Sequence, residues 1–128
     1  VILDASVGVE IAVGSEAGRR ALKRLSDNVF VPELFYAEVP SILRRLVALK
    51  KLSVKQADAA HECISGLAFT ALPVHHLQSE IWRLSTMVSA YDAHYVVLAR
   101  ETDMVLLTCD RRLATHRRLG ISCELIDN

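Results

Sequence analysis

Aromatic side chains are scarce in this chain, at 5% of 128 residues. No apolar run approaches the ~20 residues that a membrane-spanning helix needs, which argues against a membrane protein. Cysteine is sparse too. Cys63, Cys109 and Cys123 are odd in number and lack zinc-ligand spacing, so neither a disulfide framework nor a zinc site is expected, and a reducing cytoplasm is. No signal-peptide pattern opens the sequence, since Val1-Ile2-Leu3 meets Asp4 at once. Internal repeats, low-complexity segments and linkers are missing. Net charge is absent as well, because 15 basic residues balance 15 acidic ones. What is left is an ordinary aliphatic-rich composition, long enough for a single domain over residues 1–128 with one core.

Short apolar runs alternate with helical periodicities. Val1-Ile2-Leu3 reads as a strand ending at Asp4. A helix follows over Ala5–Val13, which Ser6 could cap and Gly14 stops. Ser15 caps a second helix with Ala17, Ala21, Leu22 and Leu25 on its apolar face. Asp27-Asn28 turns the chain into a strand, Val29-Phe30-Val31, which Pro32 ends. Residues 33–51 form the longest helical pattern, with an inner stripe of Phe35, Glu38, Ile42, Leu46 and Leu49. Pro40 inside it predicts a kink or a late start.

Ser53 and Gln56 have the form of a capping box for a helix burying Ala57, Ala60, Ile64 and Leu67. Phe69-Thr70-Ala71-Leu72 is a third strand, stopped by Pro73. A helix with Leu77, Ile81, Leu84 and Val88 on one face comes next. The stretch 89–113 then reads as helix, turn, strand and a new helix start, with Met104-Val105-Leu106-Leu107 as the strand. Thr108-Cys109-Asp110 leaves the sheet, Gly120 closes the following helix, and residues 121–126 supply the last strand. This alternation predicts an α/β domain: a mainly parallel sheet with helices on both faces. In such sheets, sites form beyond the carboxyl ends of strands.

Four acids occupy such places. Asp4 and Asp110 follow strand ends. Glu38 lies on an apolar helix stripe, where a charge is rare unless paired; the alternative is a Glu at the stripe's edge that reaches water or pairs with Arg45 two turns on. Asp92 shares a helix face with Tyr95, Val96 and Ala99. Singly, an Asp is as well explained as an N-cap or as a first-turn acid meeting the helix dipole. Carboxylates brought together in a packed domain repel and lose water unless a cation or proton intervenes. A cluster without His or Cys suits Mg²⁺ or Mn²⁺. Such ions lower the pKa of a water molecule and stabilise in-line displacement at phosphorus, the chemistry of phosphodiester hydrolysis.

With those acids engaged, the rest of the chain is net basic. Arg19-Arg20 with Lys23-Arg24, Arg44-Arg45, Lys50-Lys51, Arg111-Arg112 and Arg117-Arg118 are each ordinary solvated clusters, yet together they suit a polyanionic substrate. The histidines point to less. His94 falls on the face opposite Asp92, His75-His76 read as loop residues, and His116 is near enough to Asp110 to line a pocket but reads first as a surface residue. Cys109 reads as a small filler.

Four segments carry a resemblance. They are Leu3-Asp4-Ala5-Ser6; Ala37-Glu38-Val39 with Leu43-Arg44-Arg45-Leu46; Ser89-Ala90-Tyr91-Asp92-Ala93-His94-Tyr95 with Leu98-Ala99; and Leu107-Thr108-Cys109-Asp110 with Arg112-Leu113. In this order and spacing the chain resembles the PIN-domain ribonucleases, specifically the VapC-type toxins of bacterial toxin–antitoxin pairs. The third segment is the specific one. The resemblance implies a five-stranded parallel sheet and an Mg²⁺-dependent endoribonuclease. It implies metal-binding, catalytic roles for Asp4, Glu38, Asp92 and Asp110, and supporting polar roles for Ser6 and Thr108. It further implies a cognate antitoxin and commonly a homodimer.

The chain departs from the family at Pro40, and at Arg111 and Arg112, where some members carry another acid; fewer acids favour one metal over two. Other readings compete. A phosphomonoesterase using Asp4 as nucleophile would want a second Asp where Ser6 stands. A receiver domain would want adjacent acids after the first strand and a late Lys. A non-catalytic module would use the same pocket only to hold RNA or an antitoxin.

Overall fold

Each short apolar run becomes a strand and each amphipathic stretch a helix. The structure, a computed structural model, describes residues 1–26 and 28–127. The strands are β1 (Ile2–Leu3), β2 (Phe30–Pro32), β3 (Thr70–Leu72), β4 (Leu106–Thr108) and β5 (Cys123–Leu125). The helices are α1 (Ala5–Val13), α2 (Glu16–Leu22), α3 (Phe35–Ala48), α4 (Val54–Ser65), α5 (Gln78–Leu84), α6 (Ala90–Thr102) and α7 (Arg111–Ala114).

The five strands form one sheet in the order β3-β2-β1-β4-β5, and every pair is parallel. The chain moves outward from β1 to β3, then crosses back so that β4 lies on the other side of β1. That reversal places the β1/β4 pair at the point where open α/β sheets leave a crevice. Ile2 pairs with Leu106 and Leu3 with Leu107, so β4 ends one residue beyond β1, at Thr108. Helix α6 packs on β1, β2 and β4 with α5 beside it, while α1 packs against α2, α3 and α4 and touches β4. Ile2, Leu3, Leu106 and Leu107 are wholly buried between these layers.

Several local expectations hold. Gly14 ends α1 with φ 72°, a left-handed conformation that glycine adopts without a Cβ penalty. Ser15 caps α2, and Ser53 and Gln56 complete the capping box of α4. Others need correction. Asp4, not Ser6, is the N-cap residue of α1. Leu22 and Leu49 are exposed, at 49% and 58%, so neither lies on an inner face. The buried line of α3 is Phe35, Val39 and Leu43, with Glu38, Ile42 and Leu46 along its margin.

Helix α3 begins at Phe35, well ahead of Pro40, and continues through it as one element, so Pro40 does not delay the start. Pro40 is exposed, so water can serve the Tyr36 carbonyl that loses its N–H partner there. Thr108 still belongs to β4 rather than to its exit. Helix α7 ends at Ala114, well before Gly120, whose φ of 66° belongs to a separate turn ahead of β5. His75 and His76 begin a 3-10 turn instead of lying in a loop. The turn expected at Asp27-Asn28 falls partly outside the described residues, at Asp27.

Candidate metal centre

Asp4 stands where β1 leaves the sheet. Its backbone carbonyl accepts from the N–H groups of Val7 and Gly8, which opens α1 and turns the side chain toward β4. Asp4 is only 7% exposed. Its Oδ2 accepts from Thr108 Oγ1 at 2.6 Å and from Ser6 Oγ at 2.9 Å. Ser6 Oγ accepts in turn from the Cys109 N–H at 3.1 Å, and Thr108 Oγ1 from the Asp110 N–H at 3.0 Å. Two hydroxyls thereby tie the exit of β1 to the exit of β4. Burial pushes the Asp4 carboxyl above its usual range, although both hydroxyls and the N–H groups of Ser6 and Ala5 pull the other way.

Glu38 reaches the same region from the margin of α3. Its Oε1 accepts from the phenol of Tyr95 at 2.8 Å. Tyr95 is completely buried on α6, and that burial, joined by the charges of Glu38 and Asp4, holds its phenol firmly un-ionised. Desolvation raises Glu38 first, the Tyr95 bond opposes this, and the negative charges of Asp4 and Asp92 add to it.

Asp92 sits in the first turn of α6, where its N–H donates to the N-cap Ser89 Oγ at 3.0 Å. Its carboxyl is raised by desolvation, then by the charge of Asp4 and less by that of Asp110, with Ser89 and Arg112 opposing. Asp110 is the N-cap of α7: its Oδ1 accepts from the N–H groups of Arg112 and Leu113 at 2.8 and 3.4 Å. Its Oδ2 lies 3.6 Å from the Arg112 guanidinium.

The topology therefore brings all four predicted acids into one electrostatic neighbourhood at the sheet's crevice. Among the described residues, no three Asp, Glu, His or Cys side chains are drawn into a spacing that encloses an ion. The donor set nevertheless suits a hard cation. It is all oxygen, hydroxyls orient Asp4, a phenol orients Glu38, and three of the carboxyls are held up by lost water. A cation's charge is what such a group lacks.

Beside the acids, Asp92 and Asp110 open onto a cleft of about 420 Å³. Thr86 and Met87 from the end of α5, and Arg112 and His116 from the α7 side, complete its walls.

A family model for the PIN domain matches residues 1–119. The chain belongs to the PIN-domain family. It is 35% identical to ribonuclease VapC1 of Mycobacterium tuberculosis over 97% of its own length and 94% of the relative's. VapC ribonuclease Mb0985 of Mycobacterium bovis is 32% identical over 89% and 88%, and ribonuclease VapC12 of M. tuberculosis 30% identical over 98% of both chains. These similarities place this PIN domain with the VapC-type proteins.

Two of the histidines lie elsewhere in this PIN domain. His94 bonds the Ala90 carbonyl at 2.6 Å, and His76 lies 3.3 Å from Glu101. Glu38 bonds Tyr95 in place of the alternative partner Arg45, which is exposed. Cys109 is half-buried, and desolvation pushes its thiol up to about 11. His116 is half-buried and forms a wall of the cleft, so the pocket-lining alternative holds over the surface position. Sequence reasoning missed the role of Tyr95. A tyrosine on the buried face of α6 was the available signal, because a buried phenol needs a hydrogen-bond partner.

No helix of the described residues is long and apolar enough to cross a membrane.

Proposed function

We propose that this chain is a metal-dependent endoribonuclease, the toxin of a toxin–antitoxin pair, with one nuclease domain over residues 1–128. The observation that carries the reading is the gathering of Asp4, Glu38, Asp92 and Asp110 at the crevice, three of them held above their usual range. Relatives named as ribonucleases over nearly the whole chain support it. Those four acids would hold Mg²⁺, or Mn²⁺ in its place. Such a cation would supply a more acidic water molecule and positive charge against the phosphate.

The protein's own groups keep the site in shape. Ser6 and Thr108 hold Asp4 in one orientation, and Tyr95 holds Glu38. Asp110 spends one oxygen on capping α7 and turns the other outward, toward Arg112. With Arg111 and Arg112 following Asp110 where a further acid could stand, one tightly held ion is the better reading. The burial of Asp4 supports a ligand role over that of a nucleophile in a phosphomonoesterase.

In the reaction that fits, the oxygen of water bonds to phosphorus, the bond to the 3′-oxygen breaks, and that oxygen takes up a proton. The products end in 5′-phosphate and 3′-hydroxyl. Ligation and sequencing of the ends released from total RNA test this. Cyclic 2′,3′-phosphate ends would show attack by the ribose hydroxyl instead and reject the mechanism.

The partners follow from the same reading. An antitoxin segment would lie between α3 and the loops around Asp4 and direct an Arg or Lys at the acids, since a guanidinium binds carboxylates bidentately. Undiminished RNA protection by a partner stripped of its basic residues would reject that mode. A homodimer and a cytoplasmic setting complete the proposal. Size measurement of the purified protein and fractionation of cells would test these two points.

A further inference from the structure

The cleft beside the acids is polarised in its hydrogen-bonding capacity. On the α7 side, beyond the carboxylate of Asp110, it presents donors. Arg112 extends a guanidinium whose side chain is 93% exposed and whose contact with Asp110 is a loose 3.6 Å. His116 Nδ1 accepts from the N–H of Arg118 at 3.3 Å, so in the neutral ring the proton sits on Nε2. On the α5 side the cleft presents acceptors. The hydroxyls of Ser85 and Thr86 donate to the carbonyls of Trp82 and Arg83, leaving lone pairs to face a ligand. Met87 adds an apolar surface on the same side. A volume of about 420 Å³ lies within the range of small-ligand sites.

We propose that this cleft is a nucleotide subsite for the RNA strand, in which Arg112 and His116 bind a backbone phosphate next to the scissile one and Thr86 accepts a hydrogen bond from the same nucleotide. The inference rests on the ribonuclease reading but concerns residues outside the acid group. A nucleotide has the matching polarity, with acceptors on its phosphate and donors on its base and 2′-hydroxyl. Arg112 suits the phosphate because its planar fork offers paired donors. The cleft also continues directly from Asp92 and Asp110, so a strand held in it runs on to the acids.

The test is binding of a fluorescein-labelled 12-nucleotide RNA of mixed sequence, by anisotropy in Mg²⁺ at several salt concentrations. All proteins carry Asp92→Asn so that the probe stays intact. Adding Arg112→Ala should weaken binding about fivefold and lower the slope of log Kd against log salt by about 0.7, the value for one phosphate on a single strand. His116→Ala should weaken binding, and His116→Gln, which keeps a donor near the position of Nε2, should restore most of it. Thr86→Val should weaken binding with no change in salt slope. Melting curves confirm that each variant is folded.

Absence of RNA binding by the parent of this series would overturn the subsite. So would unchanged affinity and slope in Arg112→Ala and His116→Ala. RNA cleavage by the protein with Asp92 restored separates the two readings. Cleavage that is indifferent to Arg112 and His116 rejects the subsite alone. Binding that depends on them, with no cleavage in Mg²⁺, upholds the subsite and rejects the nuclease.

Discussion

Thr108 Oγ1 lies 2.6 Å from Asp4 Oδ2, although 104 positions separate them in the chain. The contact follows from β1 and β4 running parallel, side by side and in register. It serves two groups at once, since the same hydroxyl accepts from the Asp110 N–H. Thr108→Val keeps the shape and removes both bonds in a fully buried place. It should destabilise the fold by about 1–3 kcal/mol and reduce RNA cleavage, with Thr108→Ser recovering most of each. Urea unfolding and cleavage rates of the two variants are the check.

Tyr95 orients Glu38 in a similar way from α6. Tyr95→Phe keeps the ring that fills the core and removes only the donor. Stability should fall by about 1 kcal/mol. Metal affinity or activity should fall about tenfold, as is usual when a partner behind a metal ligand is lost. A metal titration followed by calorimetry would read the effect, and an unchanged affinity would remove Glu38 from the ligand set.

Asp92→Asn separates function from folding. Activity should drop by about a hundredfold or more. The metal-free variant should be as stable as the metal-free parent or more so, on the order of 1 kcal/mol, because neutralising one of the crowded carboxylates relieves repulsion. Added Mg²⁺ should raise the parent's melting temperature more than the variant's. A variant that melts well below the parent in EDTA would show that Asp92 is a structural residue.

The same crowding fixes a pH dependence. Asp4, Glu38 and Asp92 all titrate above their usual range in the folded chain, with desolvation the leading cause in each. They bind protons more tightly folded than unfolded, so acidification from neutrality through those raised values adds stability, down to the ordinary carboxylate range near pH ~4. Glu124 acts in the opposite sense: Arg24 holds it below its usual range, so its contribution is present above the unfolded value and fades as pH falls through the folded one. That pair is largely solvated and contributes little. Melting temperature in EDTA should therefore rise as pH falls from neutrality toward the ordinary carboxylate range, and Mg²⁺ should flatten the rise. A fall over that interval would contradict the crowding.

Much of this was readable from local chemistry. Gly14 after an apolar helix, the Ser53-Gln56 box and the short aliphatic runs each specify their element with residues near in sequence. The positions of Asp4 and Asp110 past strand ends were readable for the same reason. The long helix was less legible. Anchoring its stripe on Glu38 shifted the inner face by one position, because Phe35, Val39 and Leu43 and the parallel line of Glu38, Ile42 and Leu46 are both spaced as helix faces. Only the packing of α3 against α1 and α4 chooses between them. Tyr95 and Glu38 are 57 positions apart, so no spacing announces their bond. His116 likewise joins the cleft through the path of the chain after α7, which sequence periodicity does not define.

The central claim is that the acids at the β1/β4 exits work by holding a divalent cation that hydrolyses RNA. Cleavage of end-labelled total RNA by carefully demetallated protein, in EDTA and after restoring Mg²⁺, tests it most directly. The account predicts intact RNA in EDTA, cleavage when Mg²⁺ is returned, and none with Asp92→Asn under either condition. Full cleavage by the demetallated protein in EDTA would contradict it.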